Sequence, residues 1–397
     1  MRVLLLEARD RVGGRILTAH EPDGIFAELG AEFVHGRPPE ILIEAQKAGL
    51  PIDPDEHSTS YYFDGKHLGL ADDPESESES IFLQFERYNG PDISFATFLD
   101  KAKAPEHEKQ QAAMYVEGFN AAYADRISLR ALAKQQHAED AIHGGEISYV
   151  HGGYDRLVDA IRAQLTDTCE LRCNTRVLCI NWRPGEVVIE AAGDDRNLEF
   201  HARAAVVTLP LSLLQAGCVQ FVPILDTLQH PLSLLEMGHV VRLSLRFDRA
   251  FWPSDLGFLF AQGTTFPVYW TSPGNQPILT AWTSGHRAEP LLSLSHAELE
   301  SRVLQDLTRI FSKSEPELRS ALHRSYYHDW QHDPYSLGSY SYPLVCGEDA
   351  SADLSRPIAN TLFFAGEHTE SQGHHATVHG AIASGYRVAH EIVSALR

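Results

Sequence analysis

Three short apolar runs, at the start, in the middle and near the end of the chain, constrain the fold most strongly. They are residues 2–7 (RVLLLE), 204–209 and 361–366, and each has the length of a buried strand in a parallel sheet. Strands this far apart in the sequence must come from separate segments of the chain. We therefore predict an α/β fold whose sheet domain is discontinuous, with a second, α+β domain inserted between its segments.

The formal net charge of −21 over 397 residues narrows the classes of partner. Nucleic-acid binding requires a basic surface, so we expect no nucleic-acid partner. An acidic field attracts small cations such as amines, although it serves solubility equally well. No apolar run approaches the ~18 residues that span a bilayer, which predicts a cytoplasmic protein without a membrane partner. The five cysteines lack the C-x-x-C pairs of a zinc site, so we expect structural thiols and no metal.

The loop after the first apolar run has the composition of a nucleotide-binding turn. Residues 4–15 have the sequence LLLEARDRVGGR. Glu7, at the end of the strand, can accept hydrogen bonds from both hydroxyls of a ribose. Gly13 and Gly14 allow the backbone to approach a pyrophosphate, which Arg15 can neutralise. A strand followed by an exposed polar turn is the alternative that composition alone would favour.

The segment 362–392 contains the strongest pattern in the sequence. A buried strand ends at Gly366 and Glu367, and a helix is predicted to begin near Thr377 and Val378. The N-terminus of a helix directs backbone N–H groups and partial positive charge outward, and so favours a negatively charged group there. The alternative is a helix that serves packing alone.

These two segments resemble motifs of the flavin-containing amine oxidase superfamily. Residues 7–15 resemble its second-strand motif, and residues 362–392 resemble the C-terminal FAD motif of polyamine oxidases and lysine-specific histone demethylases. The resemblance covers nearly the whole chain, in the family's order. It implies non-covalently bound FAD in a discontinuous Rossmann-like domain, and an α+β substrate-binding domain. The expected segments are residues 1–55, 145–225 and 335–397 for the FAD-binding domain, and residues 56–144 and 226–334 for the substrate domain.

The resemblance also assigns residues to the cofactor. Residues 30–36 (GAEFVHG) match a turn whose backbone passes the flavin in the family, and Val177 matches the residue whose backbone contacts adenine. The cofactor-binding residues implied in this way are Glu7, Arg9, Gly13, Gly14, Arg15, Gly30, Ala31, Glu32, Phe33, Val177, Gly366, Glu367, Thr377 and Val378.

Four further residues, together with Thr377, are implied at the reacting end of the site. Tyr340, in the segment that begins at Trp330, corresponds to one wall of an aromatic cage for the amine. Thr377 stands where monoamine oxidases have the second wall, and this departure favours polyamine or lysine-type substrates. His35 corresponds to a residue that faces the substrate tunnel, and we expect it to titrate near neutral pH. For Tyr340 the alternative is a core tyrosine with a satisfied hydroxyl.

Arg242 departs from the family pattern, because the matching residue is a lysine that holds a water beside the flavin. It lies in residues 240–247 (VVRLSLRF), whose alternation predicts a half-buried strand. An arginine stays protonated, and its planar fork suits two acceptors better than one water. A buried ion pair therefore explains Arg242 as well as a catalytic role does.

The dinucleotide fingerprint G-x-G-x-x-G is expected roughly 30 residues before Glu7, and the sequence begins after that point. We therefore expect the first strand, turn and helix of the FAD-binding domain to be missing from this sequence. Two explanations stay open: the natural protein is longer, or the gene is a remnant that binds flavin poorly. The other motifs favour the first.

The resemblance implies a reaction as well as a fold. A hydride passes from the carbon next to an amine nitrogen to FAD, the imine hydrolyses to an aldehyde or ketone, and dioxygen is reduced to hydrogen peroxide. The expected partners are a small amine and dioxygen, and the chain is expected to be a monomer or a homodimer. An L-amino acid oxidase, in which Arg242 would hold the substrate carboxylate, and a non-catalytic remnant are the alternatives. The acidic charge argues against direct chromatin demethylation.

Overall fold

The structure is a computed structural model that describes residues 1–55, 59–70, 75–193, 196–274 and 276–396. Its α-helices are α1 (Pro39–Ala48), α2 (Glu75–Glu86), α3 (Phe95–Lys101), α4 (Glu106–Asn120), α5 (Leu129–Ala141), α6 (Asp155–Arg162), α7 (Leu211–Gln215), α8 (Asp226–Ser233), α9 (His296–Phe311), α10 (Glu315–Ala321), α11 (Ala350–Leu354) and α12 (Val378–Ala395). Its strands are β1 (Val3–Leu6), β2 (Thr18–His20), β3 (Phe26–Glu28), β4 (Phe33–His35), β5 (Ile52–Pro54), β6 (Thr59–Phe63), β7 (Leu68–Leu70), β8 (Ile147–Val150), β9 (Cys169–Arg172), β10 (Arg176–Arg183), β11 (Glu186–Ala192), β12 (Asn197–Ala202), β13 (Ala205–Val207), β14 (Gln220–Val222), β15 (Leu235–Met237), β16 (Val240–Phe247), β17 (Leu256–Ala261), β18 (Val268–Thr271), β19 (Ile278–Ser284), β20 (Leu322–Tyr326), β21 (Ser341–Pro343) and β22 (Leu362–Phe364).

The three apolar runs all form strands in parallel pairs, which confirms the α/β fold. The prediction that the first run is buried is wrong, because Val3 and Leu5 in β1 are 38% and 40% exposed. Strand β1 pairs with β9, and β13 pairs with β22. These pairs form two separate two-stranded sheets, in which the start and the end of the chain each pair with a strand from its middle. The expected unit before residue 1 stays a prediction.

A seven-stranded sheet forms the wall of the other half of the molecule, in the order β20-β16-β19-β18-β17-β6-β7. On one face of β16, Val241, Leu243 and Leu245 share a core with helix α9. The sequence predicts a half-buried strand, but the opposite face is also covered, and Arg242 and Ser244 are buried there. The prediction is wrong on this point, because other segments of the chain pack over the polar face.

Four helices, α2 to α5, pack together beside this sheet around a second apolar core. The acidic composition of residues 71–80 predicts a surface loop. Residues 71–74 lie outside the described residues, whereas α2 already begins at Glu75, so the prediction is wrong for the second half of that run. Among the described parts of the chain, no helix combines the length and the apolar character that crossing a bilayer requires.

Candidate active site

One cavity of about 2340 Å³ lies between the parallel strands, the seven-stranded sheet and the start of α12. Pockets for drug-sized ligands measure roughly 300–1,000 Å³, so this one has room for a large cofactor and a substrate together. All residues that the sequence analysis assigned to the site line it: Glu7, Arg9, Gly13, Gly14, Arg15, Gly30, Ala31, Glu32, Phe33, His35, Val177, Arg242, Trp330, Tyr340, Gly366, Glu367, Thr377 and Val378. Their individual roles stay predictions.

The turn after β1 is held by charged hydrogen bonds. The backbone N–H of Arg9 donates to Oε1 of Glu7 at 2.8 Å. The Arg9 guanidinium forms two bonds with the carboxylate of Asp333, at 2.7 and 2.8 Å. Burial raises the pKa of Asp333, but hydrogen bonds from Arg9 and neighbouring groups bring it below its ordinary value. In this structure Arg9 therefore positions the turn, and its partner Asp333 is a residue that the sequence alone did not single out.

The two glycines of this turn have backbone conformations that disfavour other residues. Gly13 and Gly14 have φ of 100° and 57°. The Arg11 guanidinium donates to the carbonyl oxygens of Gly14 and Ile16, at 2.8 and 2.9 Å, and fixes the turn from one side. A Cβ atom built at Gly14 would have no atom within 4 Å, so the backbone there borders open space.

Arg15 and Glu367 join the first and last motifs of the sequence. Nη1 of Arg15 lies 2.9 Å from Oε1 of Glu367 and donates to the carbonyl oxygen of Ser339 at 2.6 Å. Oε2 of Glu367 accepts from the hydroxyl of Ser341 at 2.6 Å and from the backbone N–H of Ala376 at 3.0 Å. Burial alone would raise the pKa of Glu367, and the Arg15 charge lowers it below its ordinary value. The pair thus places a buried carboxylate and a guanidinium on the cavity wall.

Helix α12 begins where the sequence predicts, with its N-terminus at the cavity. Thr377 is the N-cap: its hydroxyl accepts from the backbone N–H of Gly380 at 2.9 Å and donates to the carbonyl oxygen of His374 at 2.6 Å. Val378 is the first helical residue, and the N–H groups of a first helical turn lack partners within the helix. The hydroxyl of Thr377 is therefore engaged in starting the helix, whose positive end faces the cavity.

The turn before β4 approaches the Arg15 turn very closely. A Cβ atom at Gly30 would lie 1.8 Å from the backbone oxygen of Arg15, so only glycine fits. The indole N–H of Trp330 donates to the carbonyl oxygen of Leu29 at 2.7 Å. Trp330 is buried and holds this turn in place, and it thereby positions Ala31, which lines the cavity.

Arg242 lies in a buried ion pair. Nη2 lies 2.5 Å from Oε2 of Glu32, and Nη1 donates to the carbonyl oxygen of Gly30 at 2.7 Å. The Glu32 oxygen also accepts from the indole N–H of Trp270 at 2.9 Å, and the guanidinium lies over that indole. Burial raises the pKa of Glu32, and the Arg242 charge opposes that rise. The ion pair considered as an alternative from sequence is thus present, on the wall of the cavity.

Part of the cavity wall is aromatic. The Tyr340 hydroxyl donates to the carbonyl oxygen of Phe119 at 2.9 Å, so its hydroxyl is satisfied while its ring lines the cavity. The His35 ring lies between Phe33 and Phe119, with ring centroids 5.7 and 5.4 Å away. Burial lowers the pKa of His35 to about 4. The expectation that His35 titrates near neutrality is therefore wrong, because the protein atoms around the ring disfavour its charged form.

Several aromatic residues of the cavity wall were missed by the sequence analysis: Tyr115, Phe119, Phe258, Trp270 and Trp282. Helix α4 provides the first two, and the seven-stranded sheet provides the others. No motif marks them, because aromatic residues on helices and strands are more often core residues than site residues. The fold and the cavity together are typical of an α/β protein that binds a large cofactor.

Residues 1–393 match the family described as flavin containing amine oxidoreductases, and the chain belongs to that family. Among curated relatives, probable polyamine oxidase 4 of Arabidopsis thaliana is 27% identical over 421 residues, covering 97% of this chain and 80% of that protein. Lysine-specific histone demethylase 1 homolog 1 of the same plant is 28% identical over 435 residues, covering 100% of this chain but 50% of that protein. A solved structure of wild-type putrescine oxidase bound to putrescine matches with a TM-score of 0.82 and 19% identity, covering 98% of this chain and 93% of that one, a likeness of fold.

The family and the fold together define the type of enzyme. The protein is an FAD-dependent amine oxidoreductase, as the sequence resemblance predicts. The predicted recognition, fold class and cofactor are thereby confirmed. We treat three points as proposals below: which amine is oxidised, which molecule accepts the electrons, and what each residue does.

Proposed function

We propose that this chain oxidises a polyamine or another primary or secondary amine to an imine, which hydrolyses to an aldehyde, while dioxygen is reduced to hydrogen peroxide. The observation that supports this most strongly is the single cavity. It is lined by a glycine turn, by a helix N-terminus and by a set of aromatic side chains. The turn and the helix N-terminus suit a dinucleotide cofactor, and the aromatic side chains suit an amine with carbon chains.

The residues present fit FAD. Glu7 directly follows β1, where its carboxylate suits a ribose, and the backbone of Gly14, which borders open space, suits a pyrophosphate. The positive N-terminus of α12, at Thr377 and Val378, suits the end of a flavin ring that becomes negative on reduction. Bound FAD supplies the acceptor for the hydride that leaves the carbon next to the amine nitrogen. In this proposal residues 1–55, 145–225 and 335–397 bind the cofactor, non-covalently, and residues 56–144 and 226–334 form the substrate domain.

The aromatic side chains of the cavity wall select the form of the amine. A carbon can lose hydride only when the neighbouring nitrogen has a free lone pair, so the amine must bind or become neutral. A buried apolar environment disfavours the ammonium form, just as it keeps His35 neutral. The rings of Tyr340 and Phe119 can still attract an amine as it enters, because ring faces are electron-rich. The chain thus orients a substrate and removes water from it.

The pairing of Arg242 supports an amine over an L-amino acid as substrate. An amino acid oxidase needs a guanidinium that is free to bind a carboxylate bidentately. In Arg242 both terminal nitrogens already have partners, Glu32 and Gly30. An incoming carboxylate would have to displace a buried carboxylate and a backbone carbonyl, and also tolerate the nearby charge of Glu32.

A substrate panel tests the proposal. Purified protein saturated with FAD is mixed anaerobically with spermine, spermidine, putrescine, a simple monoamine or an L-amino acid, and the flavin absorbance is followed. In air, peroxide is measured with a coupled peroxidase. The proposal requires bleaching by at least one amine and peroxide in step with it. Bleaching by L-amino acids alone, or bound FAD that no amine reduces, would refute it.

A matched pair of variants tests the aromatic part of the cavity wall. Tyr340→Ala should lower kcat/KM for the active amine by roughly 10-fold, as expected from losing one aromatic contact of about 1.4 kcal/mol. Tyr386→Ala, on α12 but outside the cavity lining, is the control. Equal losses in the two variants, with FAD bound in both, would remove Tyr340 from the proposed substrate site.

A further inference from the structure

Two histidines and a glutamate from distant parts of the chain meet between α5 and the start of α12. Glu139 lies in the last turn of α5, His374 lies in the loop before α12, and His379 lies in the first turn of α12. Nε2 of His379 lies 3.1 Å from Nδ1 of His374. One nitrogen or oxygen atom of each of the three residues lies within 4.8 Å of those of the other two.

Two glycines allow the backbone segments around this cluster to approach α5 closely. Gly373 has φ of 107°, and a Cβ atom there would lie 2.7 Å from the backbone oxygen of Lys134 on α5. A Cβ atom at Gly144 would lie 2.3 Å from Oε2 of Glu139. The loop that contains His374 therefore lies against α5, and the turn after α5 covers the carboxylate.

The carboxylate of this cluster has an acceptor atom that no described residue uses. Oε1 of Glu139 is buried and has no hydrogen-bond partner. Buried polar atoms without partners are rare, because each costs free energy to desolvate.

The separation of the two histidine nitrogens fits two explanations. A hydrogen bond between neutral rings has this length, and so does a pair of ligands on one ion. Nitrogen ligands of a tetrahedral zinc ion lie about 3.3 Å apart, since each Zn–N bond measures about 2.0–2.1 Å. A hydrogen bond between the rings explains only the contact between His374 and His379. A cation explains in addition why an unpaired carboxylate oxygen of Glu139 is buried beside it.

We propose that Glu139, His374 and His379 form a binding site for one divalent transition-metal ion of the zinc type. Two imidazoles and a carboxylate suit zinc, and they do not suit the oxygen-only coordination of magnesium or calcium. A fourth position is open for water on the side of the cavity, which His379 lines. The ion would tie α5 to the N-terminus of α12, and its binding is independent of the proposed amine oxidation. The expectation of no metal depended on cysteine spacing alone.

A second group of ligand-type residues gives the experiment its control. Glu86, His137 and Asp140 also lie close together, but His137 and Asp140 are exposed to solvent. A surface group of this kind binds metal weakly when its side chains are free to move. The variant His137→Ala therefore reports on adventitious binding at the surface, and Glu139→Gln and His379→Ala report on the proposed site.

The test uses the full chain with bound FAD, after removal of any affinity tag and treatment with a chelator. Zinc chloride is titrated by calorimetry, and cobalt chloride is titrated while the visible d–d absorbance of cobalt is followed. We expect one zinc ion per chain and the intense cobalt bands of a tetrahedral site. Glu139→Gln and His379→Ala should each weaken binding by at least roughly 10-fold, whereas His137→Ala should not. Circular dichroism and FAD absorbance check that each variant is folded.

Two results would overturn the proposal. The first is the absence of stoichiometric binding in the wild-type chain, which would leave the two histidines as a hydrogen-bonded pair. The second is loss of binding in His137→Ala with retention in His379→Ala, which would assign the ion to the surface group. If the variants fail to fold, zinc X-ray absorption of the wild-type complex decides, because the proposed site requires two imidazole ligands and the surface group supplies one.

Discussion

Replacing Arg242 by methionine should destabilise the protein strongly and in a pH-dependent way. The change removes the only cationic partner seen for Glu32 among the described residues, and Glu32 is only 6% exposed. The variant must then protonate this carboxyl or bury its charge. Protonation at pH 7 of a group with the reference pKa of 4.5 costs about 3.4 kcal/mol, at about 1.36 kcal/mol per pH unit. The lost hydrogen bond to Gly30 adds about 1 kcal/mol, so we expect a loss of about 4 kcal/mol at pH 7.

The sign of the pH dependence follows from the same reasoning. In the variant the folded state holds a proton on Glu32 that the unfolded state loses above its own pKa, so stability relative to wild type falls as pH rises. At pH 5 the protonation cost shrinks to about 0.7 kcal/mol, and the total loss should be about 2 kcal/mol. Urea unfolding of wild type and variant at both pH values, with saturating FAD, measures these differences.

The double variant Arg242→Met/Glu32→Gln is the control. It removes the carboxyl while the amide oxygen can still accept from the indole of Trp270. We expect it to regain about 3 kcal/mol relative to the single variant at pH 7 and to lose the pH dependence. The reasoning fails if the single variant is equally destabilised at both pH values, or if the double variant is no more stable than the single one.

Three further predictions concern the cavity wall. Gly30→Ala should lower the free energy of unfolding by at least about 1–3 kcal/mol and weaken FAD binding, because the added methyl group collides with the Arg15 backbone. Thermal unfolding and flavin retention measure these effects, and unchanged values would contradict the close contact. Thr377→Ala should lower the free energy of unfolding by about 1 kcal/mol, because the backbone N–H of Gly380 loses its cap. Thr377→Ser should restore that stability in urea unfolding. Equal stability of the two variants would show that the cap is not important. Since burial lowers the pKa of His35 to about 4 from a reference of 6.5, the unfolded state binds its proton first, and wild-type stability should fall as pH drops from 6.5 to 4. His35→Gln should make that fall less steep, and an identical slope in the two proteins would show that the pKa of His35 is not lowered in the folded protein.

Local patterns in the sequence were sufficient to predict the elements that position the cofactor. The run Val3–Leu6 is apolar enough to predict a strand, although not its exposure, and the residues before Val378 contain a capping threonine. Each of these patterns depends on a few neighbouring residues, so it can be recognised without knowing how the rest of the chain folds. The family resemblance then placed these elements in one fold, and every residue that it assigned lines the cavity, although their roles stay predictions.

Distances between residues far apart in the sequence could not be predicted in this way. Arg242 meets Glu32 across 210 positions, and the Tyr340 hydroxyl meets Phe119 across 221 positions. The alternating pattern of β16 predicted one exposed face, but both faces of the strand are covered. The pattern describes a single strand, whereas burial depends on the segments that pack over that strand. Sequence could therefore offer an ion pair for Arg242 as an alternative, but could not name its partner.

The chain's amino-acid sequence by itself determined the strands, the helix N-terminus, the glycine turns and the family, because these depend on local periodicity and short motifs. Only the tertiary structure decided which charges are buried, which histidine is neutral and which three side chains meet between α5 and α12. The physical reason is that pKa values, ion pairs and ligand sets depend on desolvation and on distance in space, and both arise only when distant segments pack together.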